Sequence, residues 1–134
     1  MCFELDSLPP IPVISGAAIS HDELVLEAAD GHGLTGAIGF YGNPGERNGQ
    51  PGPTQRAAEI ECPILALQAG DDKNITAELN AEFDRALTAA GVEHEIVTYE
   101  GAPHSFFDRS YEEHADASAD AWDRVLAFIR RYSV

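Results

Sequence analysis

The feature that most constrains this sequence is an alternation of apolar strands and amphipathic helices that begins at Cys62. Residues 62–69 are almost continuously apolar, which is typical of a parallel strand buried on both faces. A helix is predicted next, from a candidate N-cap at Thr76 to Gly91, with one apolar face made of Leu79, Phe83, Ala86, Leu87 and Ala90. Residues 95–99 are rich in β-formers and predict a second strand.

A second amphipathic helix is predicted over residues 112–132. Its buried stripe is expected to comprise Ala115, Ala119, Trp122, Val125, Leu126 and Ile129, while its acidic residues face water. Another short apolar run, at residues 35–41, predicts a buried strand earlier in the chain. Strands joined by helical crossovers form parallel sheets covered by helices. The fold class is therefore α/β, with three parallel strands and covering helices.

The first part of the chain differs in character from this repeating unit. Pro9, Pro10 and Pro12 favour extended chain, so residues 1–31 are predicted to form an arm that ends in a short edge strand at residues 24–28. Residues 32–134 are predicted to form the α/β unit. Within it, glycine and proline are so frequent between residues 42 and 61 that only a helical turn near residues 55–60 is expected.

Charge and composition exclude several functional classes. A formal net charge of −15 disfavours nucleic acid and anionic membrane surfaces as partners. No apolar run approaches the roughly 20 residues that cross a bilayer, and Glu4 and Asp6 stand where a signal peptide would be basic, so a cytoplasmic protein is predicted. Cys2 and Cys62 form no CxxC pair, and residues 36–39 lack a GxGxxG pattern. We therefore expect no metal and no cofactor.

Two loops carry residues that could act together. Asp71 and Asp72 follow the strand at residues 62–69, and His104 follows the strand at residues 95–99. Ligands of open α/β sheets bind beyond the carboxyl ends of the strands, so a carboxylate could reach His104 if these strands are neighbours. An acid that orients a histidine belongs to nucleophile-base-acid triads, and the acid-then-histidine order is that of α/β-hydrolases. From local sequence alone, Asp72 could equally be a helix cap and His104 an ordinary loop residue.

Residues 62–109 resemble the C-terminal part of the dienelactone hydrolase family. The resemblance rests on the D-x-x-I loop that starts at Asp72 and on the G-A-x-H-S-F loop that contains His104. It extends to the sequence GAIGFYG at residues 36–42, to the last helix and to the N-terminal stretch, and so covers nearly the whole chain. It implies that Asp72 is the triad acid, that Asp71 is the less suited alternative, and that His104 is the base. It also implies Arg109 as the nearest candidate for binding a substrate carboxylate, and hydrolysis of a small ester or lactone as the activity.

The sequence departs from the family at the nucleophile. Members carry a G-x-[CS]-x-G elbow before the strand that corresponds to residues 35–41, and no serine or cysteine of this chain has glycine two positions before it. One hypothesis is a hydrolase that is at most weakly active alone. The other is an interaction module in which the exposed edge at residues 35–41 pairs with a second copy or with an intact homologue. A flavodoxin-like cofactor binder would need a phosphate loop that the sequence lacks.

Overall fold

The computed structural model describes residues 34–133, so the predicted arm at residues 1–31, with its edge strand, lies outside the described part. The division of the chain at residue 31 stays a prediction. The described elements are, in chain order, β1 (Ala37–Phe40), a short 3-10 helix (Ala57–Glu59), β2 (Ile64–Ala69), α1 (Ala77–Ala90), β3 (His94–Tyr99) and α2 (Ala115–Tyr132). This order confirms the predicted alternation from Cys62 onward and the helical turn near residues 55–60.

The three strands form one parallel sheet with β2 in the centre. Ile64 at the start of β2 lies opposite both Ala37 of β1 and His94 of β3. Every residue of β2 is buried, because this strand has a neighbour on each side and a helix over each face. The predicted three-stranded parallel sheet is therefore confirmed.

The two helices cover opposite faces of the sheet, as the alternation of side chains along β2 shows. Ile64 and Ala66 pack with Phe83 and Leu87 of α1. The intervening residues of β2 point the other way and pack with the α2 side. That second cluster contains Leu65, Leu67, Ala69, Ala102, Phe106, Ala121 and Val125.

The ends of α1 follow the sequence prediction. The hydroxyl of Thr76 accepts a hydrogen bond from the Leu79 amide at 3.3 Å, so it caps the first turn. Gly91 ends the helix with φ of 72°, and its amide donates back to the carbonyls of Leu87 and Thr88. Glycine suits this position because left-handed backbone costs a residue without Cβ little.

The predicted start of the last helix and part of its stripe are wrong. The helix begins at Ala115 instead of residue 112, and the Ser118 amide makes its first bond to the carbonyl of His114. Ala115 and Ala119 are exposed, whereas Ser118, Ala121 and Val125 are the buried positions. Alanine is too small to fix the orientation of a helix, so the larger Val125 determines which face is buried, and Ser118 and Ala121 lie on the same face at helical spacing.

Neither helix within residues 34–133 is both long and apolar enough to span a membrane.

Candidate active site

The loops after β2 and β3 are joined by their backbones. The Gly70 amide donates to the Tyr99 carbonyl at 2.8 Å, and the Asp71 amide donates to the Ala102 carbonyl at 3.0 Å. A Cβ at Gly70 would lie only 2.8 Å from the Tyr99 carbonyl oxygen and from Glu100 Cα, so a side chain there would push the two loops apart. The close approach brings both loops to the same edge of the sheet.

Asp72 and His104 meet at this edge. His104 Nδ1 lies 2.5 Å from Asp72 Oδ2, while Asp72 Oδ1 accepts the amides of Asn74 at 2.9 Å and Ile75 at 3.3 Å. The side chain of Asp72 is 2% exposed. Burial raises the pKa of Asp72, but the hydrogen bond from His104 and the two amides outweigh it, so the pKa lies below its usual range. Asp72 therefore stays a carboxylate that orders its own loop and contacts the histidine.

His104 presents one ring nitrogen to Asp72 and the other away from it. A carboxylate only accepts hydrogen bonds, so Nδ1 is the donor in this pair and the Nε2 of the neutral ring carries the lone pair. Among residues 34–133 no hydrogen-bond partner of Nε2 is found, and 49% of the side chain is exposed. This is the arrangement that a general base requires, because the basic nitrogen is oriented and accessible.

Tyr41 is a residue of this site that the sequence reasoning missed. It follows β1 directly, and its ring centroid lies 5.1 Å from that of His104. Its hydroxyl accepts the amide of Phe107 at 2.7 Å, and burial raises the pKa of the phenol. The available signal was an aromatic residue at the carboxyl end of a strand, just before a glycine-rich loop.

The other candidates stand apart from the Asp72 and His104 pair. Asp71 is exposed and binds the neighbouring loop through its backbone. Arg109 is also exposed, its amide donates to the Ser105 carbonyl, and its side chain makes no ion pair with the described residues. Cys62 is buried just before the opposite end of β2, where burial raises the pKa of the thiol. A role for Arg109 in substrate binding stays a prediction.

In the part of the chain that the structure describes, neither a metal site nor a nucleophile motif accompanies this pair. Across residues 34–133, no group of three histidine, cysteine or acidic side chains is arranged to hold a metal ion. Ser105 is adjacent to the base in sequence but is buried, with φ of 68°. The arrangement can hold and move a proton at His104 Nε2, with the carboxylate supplied by the loop after β2 and the imidazole by the loop after β3.

The chain is similar to known proteins in both sequence and structure. The model of the dienelactone hydrolase family matches residues 22–133. Two proteins that carry the name carboxymethylenebutenolidase are similar: one of Saccharolobus solfataricus, 41% identical over 75% of this chain and 37% of its own, and one of Escherichia coli K12, 34% identical over 80% and 41%. A crystal structure of a protein named dienelactone hydrolase, from Klebsiella pneumoniae, superposes with a TM-score of 0.71 at 31% identity, covering 80% of this chain and 46% of that one. The chain thus spans less than half the length of these relatives.

Proposed function

This chain belongs to the dienelactone hydrolase family, and we propose that it carries the acid and the base of a site that hydrolyses small carboxylic esters or lactones. The observation that supports this proposal is the hydrogen bond between the buried carboxylate of Asp72 and Nδ1 of His104. It holds the imidazole in the tautomer that a base needs, at the edge of the sheet where α/β proteins place their ligands.

The proposed chemistry passes a proton through His104. Nε2 removes the proton of an attacking hydroxyl, thiol or water, and the Asp72 carboxylate stabilises the imidazolium that forms. The same proton then goes to the leaving oxygen when the tetrahedral intermediate collapses. The exposed guanidinium of Arg109, five residues after the histidine, is proposed to attract an anionic substrate group.

The missing elbow limits what the chain does by itself. Covalent catalysis needs a nucleophile within hydrogen-bonding reach of the base, and the sequence carries no G-x-[CS]-x-G motif. Water is then the remaining nucleophile for His104. We therefore propose slow hydrolysis at most, through general-base attack instead of an acyl intermediate.

Ester hydrolysis by the purified chain tests this proposal. With a p-nitrophenyl ester, any release of nitrophenol should proceed without a burst, should be insensitive to covalent serine and cysteine reagents, and should fall to the buffer rate in His104→Gln. The matched control is His94→Gln, because His94 lies at the other end of β3. A reagent-sensitive burst would show that a nucleophile is present. Hydrolysis that is unchanged in His104→Gln would show that His104 is not the general base.

The outer edge of β1 supports a second candidate function, pairing with another chain. Within the described residues β1 pairs only with β2, and its side chains from Ile38 to Phe40 are only partly buried. An unpaired strand edge is a template for a further strand. The partner proposed is a second copy or an intact homologue. Light scattering at micromolar concentration tests pairing between copies: a dimer that Ile38→Lys dissociates favours it, and a monomer contradicts it.

A further inference from the structure

Two residues near His104 have left-handed backbone. Tyr41 has φ of 53° and Ser105 has φ of 68°, both in the left-handed region that residues with a side chain rarely adopt. Tyr41 follows the end of β1, and Ser105 is the residue directly after His104. Such backbone persists only where surrounding contacts hold it in place. The contacts of Tyr41 therefore indicate what fixes the histidine loop.

Tyr41 is fixed from the sheet side by two hydrogen bonds. Its amide donates to the Leu67 carbonyl at 3.0 Å. The carbonyl of the following residue, Gly42, accepts a hydrogen bond from Nε2 of Gln68 at 2.9 Å, and Gln68 is 1% exposed. Both partners belong to β2, the central strand. The backbone on either side of the Tyr41 side chain is thus attached to the most buried element of the molecule.

The histidine loop donates a backbone hydrogen bond to the side chain of Tyr41. The Phe107 amide donates to the Tyr41 hydroxyl at 2.7 Å, across 66 positions of sequence. The neighbouring loop amides use local carbonyls instead, that of Phe106 bonding to Pro103 and that of Arg109 to Ser105. A partly buried amide needs an acceptor, and here the phenol oxygen supplies it.

We propose that Tyr41 is a positioning residue for His104: its hydroxyl, by accepting the Phe107 amide, fixes the turn at residues 104–107 so that Nδ1 of the imidazole stays on Asp72. The importance of this contact for catalysis rests on the proposed function. The role lies in the hydroxyl and not only in the ring, since the ring contacts of Tyr41 with His104 and Phe106, at 5.1 and 5.5 Å between centroids, do not hold the amide.

The chain offers a matched pair of variants for the test. Tyr41→Phe keeps the ring and removes the acceptor oxygen. Tyr99→Phe is the control, because Tyr99 also packs on Phe106, at 5.0 Å between ring centroids, but its hydroxyl donates to Asp120 at 2.8 Å. The readouts are the hydrogen-exchange rate of the Phe107 amide and the Nδ1 proton resonance of His104, both from NMR of the full chain.

Tyr41→Phe should accelerate exchange of the Phe107 amide about tenfold, the effect of losing one hydrogen bond, and should shift or broaden the His104 Nδ1 proton. Tyr99→Phe should leave both unchanged. Unaltered exchange and an unaltered proton in Tyr41→Phe would overturn the proposal, as would equal effects in the two variants. Should Tyr41→Phe fail to fold, the wild-type protein decides: a Phe107 amide that exchanges as fast as an open loop amide contradicts the proposal, and a protected one supports it.

The proposal and the proposed function can fail separately. NMR effects confined to Tyr41→Phe, together with hydrolysis that does not depend on His104, would leave the positioning contact in place and remove the hydrolase role. Hydrolysis that depends on His104, together with NMR signals that Tyr41→Phe does not change, would do the reverse.

Discussion

Residues 34–133 contain two histidine–aspartate pairs at opposite ends of β3, and only one of them leaves a ring nitrogen of the histidine accessible. At the carboxyl end, His104 donates through Nδ1 to Asp72 at 2.5 Å and keeps Nε2 accessible. At the amino end, Nδ1 of His94 contacts its neighbouring carbonyl at Val92 at 2.7 Å, and Nε2 lies 3.2 Å from Asp84. Both nitrogens of His94 are thus engaged, and neither is left for a substrate.

The two carboxylates differ even more than the two rings. The Asp72 side chain is 2% exposed and accepts two backbone amides, whereas the Asp84 side chain is 58% exposed. An exposed carboxylate is screened by water and its ion pair contributes little, while a buried carboxylate must be hydrogen-bonded and therefore fixes its partners. The two pairs contain the same residue types. They differ in the burial of the carboxylate and in its position relative to the carboxyl edge of the sheet.

The largest expected difference between the two pairs is in stability. Asp72→Ala removes the acceptor of three hydrogen bonds and leaves two amides unsatisfied, so we expect a loss of about 3 kcal/mol in the free energy of unfolding. Asp84→Ala should cost less than about 0.5 kcal/mol. Urea denaturation of both variants measures the difference. Equal losses would contradict the contrast between a buried and an exposed carboxylate.

A smaller difference is expected between two glycines near the two ends of the sheet. Gly70→Ala should cost about 2 kcal/mol, because its Cβ would meet the backbone of β3's outgoing loop. Gly91→Ala should cost about 1 kcal/mol, because φ of 72° is unfavourable there although no atom lies within 4 Å. Thermal unfolding provides both values, and Gly70→Ala alone should also separate Asp72 from His104. A larger loss for Gly91→Ala would show that the carboxyl edge is not the more tightly constrained one.

The pH dependence of stability gives the third comparison. Because the pKa of Asp72 is lower in the folded protein, its stabilisation is complete above the unfolded pKa of about 3.9 and is lost as the pH falls through the folded value. Asp72→Asn should therefore be less stable than wild type by about 1.5 kcal/mol at neutral pH, and the gap should close in acid. Asp84→Asn controls for the loss of one negative charge. A gap for Asp72→Asn that is the same at pH 3 and pH 7 would show that the carboxylate is not what stabilises the loop.

The sequence predicted the elements whose signals are local. Thr76 and Gly91 bound α1 because a cap hydroxyl and a left-handed glycine act on their own turns. The apolar residues of β2 identified the central strand. The orientation of α2 was mispredicted at Ala115 and Ala119, since which face of a helix is buried depends on the sheet that packs against it and not on small apolar residues alone.

For the site, the topology rule was sufficient to bring Asp72 and His104 together, because neighbouring parallel strands end at one edge. The same rule places Tyr41 at this edge, but it gave no information on the contact of Tyr41 with the Phe107 amide, which joins residues far apart in sequence through one side-chain oxygen. The local alternative for Asp72, a helix cap, is wrong. Thr76 caps α1, whereas Asp72 accepts hydrogen bonds from the amides of its own loop with Oδ1 and contacts the histidine with Oδ2.

We infer that Asp72 fixes the tautomer of His104, whereas both ring nitrogens of His94 are engaged by Val92 and Asp84. The most direct test is a long-range ¹H–¹⁵N NMR spectrum of the imidazoles, at a pH where the rings are neutral, for the wild type, Asp72→Asn and Asp84→Asn. We expect His104 to carry its proton on Nδ1 in the wild type and in Asp84→Asn, and to lose this preference in Asp72→Asn. A wild-type His104 that carries its proton on Nε2, or one whose tautomer does not change in Asp72→Asn, would show that Asp72 does not fix the tautomer.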